Sequence, residues 1–260
     1  MGVPYRFRET GGVEMDFKIQ NATDINKLSV EAIVEKLAYV TEAIRLVRRE
    51  LSDDTALLGF AGSPWTLANF MLDGGSAVEH TGGLKLFLGN RWAFETLCAK
   101  LTEAVAIFLR EQIKAGVDAV QIFDSLGGLI PTVDFQAASG VWMREIIAEL
   151  GGCAPVILFS KGARDFPSIL KTRADAIGID HEISLREVRR LFPARPALQG
   201  NLDPQSLANE TPEQISRRVY KILDEMRGRD GFIFNLGHGL PPNARLENVQ
   251  AIIDTIRENE

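Results

Sequence analysis

His238 lies between Gly237 and Gly239, directly after the apolar run Phe232-Ile233-Phe234. An imidazole donates, accepts or shuttles a proton near neutral pH, and flanking glycines let a ligand come close to the backbone. The same residue also reads as a loop histidine held by a structural hydrogen bond. Asp124-Ser125, ahead of Gly127-Gly128, puts a carboxylate and a hydroxyl at the end of another apolar run. Beside a functional role stands a plainer one, a loop start in which Ser125 caps backbone amides. Lys161 follows Val156 to Ser160 and suits an anionic substrate as well as it suits solvent. In Asp180-His181 adjacent strand side chains face opposite ways, so one of the two can point into a site, and Asp180 is the expected one. Asn201 and Asp203, ahead of Pro204, read as residues that hold a turn together. Trp65 and Phe70 read as core positions in a helical segment, Asp73-Gly74-Gly75-Ser76 as a flexible loop able to fold over a site, and His80, which carries no motif, as surface.

Other chemistries have no support in the residues. There is no HExxH, no EF-hand loop and no cysteine/histidine cluster, so a protein-bound metal is not expected. A GxSxG nucleophile elbow is missing, as are GxGxxG and GxxxxGK[ST] phosphate loops. Cys98 and Cys153 stand in no CxxC or HxC context, and reduced thiols are expected of them. A net charge of -6 with interspersed signs argues against nucleic acid as a partner. No run approaches the roughly 18 apolar residues of a membrane span, and the opening Met1-Gly2-Val3-Pro4-Tyr5-Arg6 lacks a signal-peptide pattern, so the expected location is the cytoplasm.

The elements that must position these residues are legible in the apolar pattern. Six short segments rich in apolar and β-branched residues read as buried parallel strands: Ala56 to Ala61, Ala119 to Asp124, Val156 to Ser160, Ala176 to Asp180, Pro196 to Asn201 and Gly231 to Leu236. Between them run helical periods. Val30, Ile33, Val34, Leu37, Val40, Ile44, Val47 and Leu51 predict one helix with a buried stripe, and Phe94 to Ala115 another that ends at Gly116. Ser184 to Glu187 and Thr211 to Gln214 have capping-box spacing. Alternating strand and helix require parallel pairing with right-handed crossovers, and without a phosphate loop the closed form is favoured over the open one. The expected fold class is therefore α/β, a (β/α)8 TIM barrel, with the polar residues at the C-terminal ends of its strands. Six strands are counted where eight are needed, so the first two strand-helix units are expected to be missing from a single domain over residues 1–260. Residues 1–29 read as a short β-rich excursion, and 260 residues with 45% hydrophobic content suffice for one large core.

Taken in order, Gly59-Phe60-Ala61-Gly62-Ser63-Pro64-Trp65-Thr66-Leu67, Ile122-Phe123-Asp124-Ser125 with its Gly-Gly, Leu198-Gln199-Gly200-Asn201-Leu202-Asp203-Pro204 and Phe234-Asn235-Leu236-Gly237-His238-Gly239 resemble uroporphyrinogen decarboxylase. The likeness extends to Met1 through Phe17. It implies a homodimeric barrel, once complete, that removes the four acetate carboxyls of uroporphyrinogen III to give coproporphyrinogen III with no cofactor. It further implies that His238 and Ser125 act on the substrate, that Phe123 is an aromatic wall, and that Asp124, Gly237 and Gly239 lie beside it. Phe70 stands where the family usually has a tyrosine. The family's arginine-rich motif and its pyrrole-binding aspartate find no match, so the isolated chain is expected to show little or no decarboxylation. Two other readings are a non-catalytic tetrapyrrole-binding relative and a cobamide-dependent methyltransferase relative; the missing HxC motif speaks against the second.

Overall fold

The computed structural model of the chain describes residues 1, 3–9, 11–77, 79–193, 195–228 and 231–259. They divide into two compact units, one of residues 1–159 and 163–174, the other of 160–162 and 175–260.

The first unit begins with an antiparallel hairpin, β1 (Tyr5–Phe7) and β2 (Val13–Met15), within the expected β-rich excursion. A helix that the pattern did not announce follows, α1 (Ala22–Lys27); the Asn21 side chain starts it by accepting the Asp24 N–H. The helix expected from Val30 to Leu51 is broken at Leu37 into α2 (Ile33–Lys36) and α3 (Ala38–Glu50). Its buried stripe is a second correction, because Ile33 is buried whereas Val34 and Val47 are exposed. The break rotates the two pieces relative to one another, so spacing that would align eight side chains on one straight helix does not do so here.

β3 (Leu58–Gly62) leads into α4 (Pro64–Asp73), then come α5 (Gly82–Gly89) and the long α6 (Arg91–Ala115). Gly116, at φ 111°, ends α6 in the left-handed conformation that a side chain would disfavour. The core of this unit is aromatic and aliphatic: Trp65 and Phe94 lie 6.0 Å apart between centroids, Phe87 and Phe94 5.1 Å, and Leu97, Leu101 and Leu109 are buried further along α6. β4 (Ala119–Asp124) pairs in parallel with β3, Phe60 opposite Gln121. After β4 the chain makes two short 3-10 turns and a π-turn over Gln136–Gly140, enters α7 (Val141–Leu150), and β5 (Val156–Ser160) and α8 (Phe166–Lys171) follow. β3 ends this unit's row of strands, and the Phe60 backbone groups point away from β4. Gln112 of α6 meets them with its side chain, Oε1 accepting the Phe60 N–H at 2.9 Å and Nε2 donating to the Phe60 carbonyl at 3.0 Å. Gly59 leaves the room for this, since a Cβ there would sit 2.6 Å from Gln112 Oε1.

The second unit holds β6 (Ala176–Gly178), α9 (Leu185–Leu191), β7 (Ala197–Leu202), α10 (Ser206–Asn209), α11 (Pro212–Met226), β8 (Phe232–Leu236) and α12 (Leu246–Arg257). β6, β7 and β8 pair in parallel in that order. Both predicted helix starts hold. Ser184 accepts the Glu187 N–H, and Thr211 and Gln214 form a reciprocal capping box with Pro212 in the first turn. Leu202, Leu207, Ile215, Val219 and Ile252 form the core here, so the α11–α12 layer buries its apolar side against β7.

Candidate functional site

In the first unit the residues past the strands are fixed by one carboxylate. Asp124 is wholly buried and accepts hydrogen bonds from Ser63 Oγ (2.7 Å), Thr66 Oγ1 (3.2 Å) and Ser139 Oγ (3.0 Å). Ser63 also caps α4 by accepting the Thr66 N–H at 3.0 Å, and Trp65 Nε1 donates to the Leu126 carbonyl at 3.0 Å. The start of α4, the end of β4 and the π-turn are thereby locked together, and the charge is held by donors as burial requires. Asp124 thus holds the loop that carries Ser125. Ser125 is half-buried, and among the described residues nothing hydrogen-bonds its hydroxyl, so the capping role is not what the loop uses it for. Phe123 packs edge-on against Phe60 at 6.0 Å and Phe159 at 6.1 Å, a row of three rings with alternating planes.

Phe70, in the last turns of α4, has a neighbour the sequence did not reveal. His80 stacks on it, ring centroids 5.2 Å apart and planes at 21°, with Nδ1 3.3 Å from Asp73 Oδ2. The expectation that His80 is surface is corrected: its side chain is 11% exposed. The Asp73-Gly74-Gly75-Ser76 segment is likewise a tethered loop, because Ser76 N donates to the Val13 carbonyl at 2.6 Å and Ser76 Oγ accepts the Val13 N–H at 3.0 Å. Gly75 approaches β2 so closely that a Cβ would lie 2.2 Å from the Val13 oxygen.

In the second unit Asp180 and His181 have different surroundings. Asp180 is 4% exposed, and its carboxylate accepts the backbone N–H groups of Gly162 (2.9 Å) and Glu182 (3.0 Å). Strand β6 ends at Gly178, so strict alternation no longer governs these two positions. His181 instead borders a cleft of about 350 Å³ together with Asn201, Asp203, Arg218 and Lys221, its Nε2 3.9 Å from Asp203 Oδ1. Asn201 donates to the carbonyls of Asp180 (2.8 Å) and Ile183 (2.6 Å), and Asp203 accepts the Gln205 N–H at 2.9 Å; both hold turns, as expected.

The Gly-His-Gly turn follows β8. Gly237 donates to the Leu202 carbonyl at 2.8 Å and sits against the His181 backbone, where a Cβ would lie 2.3 Å from its nitrogen. The close approach expected of these glycines is therefore, at Gly237, an approach to the protein's own chain. Gly239 faces open space. His238 is exposed, and its pKa is pushed below the usual imidazole value, first by partial desolvation and then by the positive charges of Lys161 and His181. The ring is thus biased to its neutral form, one nitrogen donating and one accepting.

No helix of the described residues is long and apolar enough to cross a membrane. Among solved structures, a methyltransferase from Methanosarcina mazei aligns with 100% of this chain and 76% of its own, with a TM-score of 0.80 at 19% identity. That likeness speaks to the fold alone, which is α/β of the TIM-barrel type. Curated relatives named uroporphyrinogen decarboxylase come from Flavobacterium johnsoniae, 37% identical over 259 residues (99% of this chain, 75% of the relative), and Legionella pneumophila, 38% identical over 262 residues (99% and 74%). The chain spans about three quarters of the length of these relatives. The family model described as uroporphyrinogen decarboxylase matches residues 1–259, so the chain belongs to the uroporphyrinogen decarboxylase family.

Proposed function

We propose that the chain serves the cofactor-independent removal of the acetate carboxyls of uroporphyrinogen III, giving coproporphyrinogen III in tetrapyrrole biosynthesis. Its working form in this reading is a cytoplasmic homodimer. The observation that carries the proposal is the family match over residues 1–259. The chemistry to be solved is the carbanion left when carbon dioxide departs. Protonating a pyrrole carbon turns the substrate's own ring into an electron sink, and a second protonation completes the methyl group. The protein's part is to orient the macrocycle, exclude water and place protons. Phe123, in its row of three rings, supplies an apolar wall. Ser125 offers a hydroxyl with no partner among the described residues. His238, biased to the neutral ring, is suited to exchange a proton with the substrate, and the open space at Gly239 leaves the approach clear. Asp124 acts through Ser63, Thr66 and Ser139 as a positioning residue.

Coproporphyrinogen formation from uroporphyrinogen tests the reading. It is to be measured with the chain alone and with the N-terminal quarter of the Flavobacterium relative added, each with His238→Ala as control. Turnover that falls at least about a hundredfold in His238→Ala supports the assignment. Absence of turnover in both conditions overturns it.

A further inference from the structure

We infer that a cleft formed where α7 and α8 end binds a small, multiply charged anion on an apolar body, a polycarboxylate or a phosphate ester, held by Arg144, Lys171 and Arg173. The cleft lies within the first unit and has a volume of about 690 Å³, the size of an ordinary small-molecule site. It is separate from the loop that carries Ser125. The Gly151-Gly152 turn on its rim precedes β5, and β4 begins beside β5, with the Val120 N–H donating to the Pro155 carbonyl at 3.0 Å. Ser125 follows the far end of β4, so the two places lie at opposite ends of these strands.

The charges of the cleft are not spent on the protein. Among the described residues none of Arg144, Lys171 and Arg173 forms an ion pair or a side-chain hydrogen bond, whereas Arg110 and Lys114 of α6 pair with Glu149 and Glu111. Three cations stand against the one carboxylate that lines the cleft, Glu145. Helix C-termini attract cations, which alone accounts for Lys171 in the last turn of α8. It does not account for Arg144, which sits inside the helical run from Gln136 to Leu150 and at neither end of it. Arg173 fits it least. Its φ of 63° is left-handed, and it closes α8 by donating its N–H to the Leu170 carbonyl at 3.0 Å. Glycine takes such a position without strain, as Gly151 does at the end of α7 with φ 61°, and a residue with a Cβ resists it. An arginine there gives up stability to hold a guanidinium at the cleft. The rim is open on the other side, since a Cβ on Gly151 or Gly152 would meet nothing within 4 Å. Ile147 and Ala148 add the apolar lining against which the body of the ligand packs.

Calorimetric titration tests the inference with two probes, trimesate (benzene-1,3,5-tricarboxylate) for polycarboxylates and phenyl phosphate for phosphate esters. Saturable binding of either supports it, and the tighter of the two identifies the anion. The double variant Arg144→Gln, Lys171→Gln should raise Kd about tenfold or more, because two charge-assisted contacts are lost. Arg173→Gly separates the structural role from the binding role. Relieved of its left-handed side chain, the protein should hold or raise its unfolding midpoint while Kd rises about tenfold. His238→Ala should leave Kd unchanged, and loss of binding there would place the probes in the site proposed for uroporphyrinogen and overturn the inference. Binding of uncharged benzene-1,3,5-trimethanol as tight as that of trimesate also overturns it. So do the absence of binding by both probes and a Kd that none of the three cleft substitutions changes. No readout depends on turnover, so the proposed function stands or falls separately.

Discussion

Asp124 and Asp180 are buried carboxylates at or just past a strand end, and each directly precedes a residue that is less buried, Ser125 in one unit and His181 in the other. Hydroxyls of Ser63, Thr66 and Ser139 are among the donors to Asp124, and the backbone N–H groups of Gly162 and Glu182 are among the donors to Asp180. A hydroxyl can turn and accept instead of donate; a backbone N–H cannot. The three hydroxyl contacts to Asp124 are therefore adjustable, whereas the two main-chain contacts to Asp180 are fixed in polarity.

That contrast can be broken by substitution. Asp124→Ala should cost the most, about 3 kcal/mol in urea unfolding, because three buried hydroxyls lose their acceptor. Asp124→Asn should recover most of that loss, to about 1 kcal/mol, since the hydroxyls can reorient toward the new amide. At Asp180 Asn should recover only part of an Ala loss of about 2 kcal/mol, because its Oδ1 can keep one of the Gly162 and Glu182 N–H bonds while its NH₂ faces the other donor. If Asn rescued both sites equally, the distinction between the two loops would be gone.

Gly237→Ala sharpens the picture of the second unit. A Cβ 2.3 Å from the His181 nitrogen forces the turn or its neighbour to move, at about 1–3 kcal/mol. Its unfolding midpoint should fall and the His238 ring resonances should shift, whereas Gly239→Ala, built into open space, should leave His181 unaffected. The smallest effect is expected from Lys161→Met. Partial desolvation, Lys161 and His181 together depress the His238 pKa, so removing the lysine should move the titration midpoint upward in an NMR pH series. The sign for stability follows from proton counts. With the folded-state pKa depressed, the unfolded chain binds more protons at His238, so folding stability rises with pH through that window and is lost as pH falls. Lys161→Met should flatten this dependence.

The strands were the most legible part of the chain, because strands such as β5, buried at every position, must be apolar throughout; β3 and β8, also expected to be buried, instead leave Phe60 and Ile233 exposed. Ala119 to Asp124 and Val156 to Ser160 match their observed bounds, and the others start or stop within two residues. The break at Leu37 and the short α1 escaped because a stripe of spacing does not report a change of helix axis, and six residues carry too little periodicity. The π-turn after β4 escaped for a related reason, since it extends the period expected of a helix. Gly237, His238 and Gly239 were visible as a motif, but what Gly237 approaches is a main-chain segment some fifty positions earlier in the chain, which no local pattern encodes. His80 shows the same limit. Its partners, Phe70 and Asp73, are near in sequence, yet the turn that folds it back is fixed by β2, far upstream.

The pairing of Gln112 with Phe60 has a consequence for how the molecule behaves in company. A carboxamide is a peptide group on a stalk, and here it occupies the two bonding positions that a foreign chain would seek first on β3. Any extended segment arriving at that margin must dislodge this side chain before it can zip alongside. Gln112 thereby satisfies, from within the same unit, main-chain groups of β3 that would otherwise be open to strand addition.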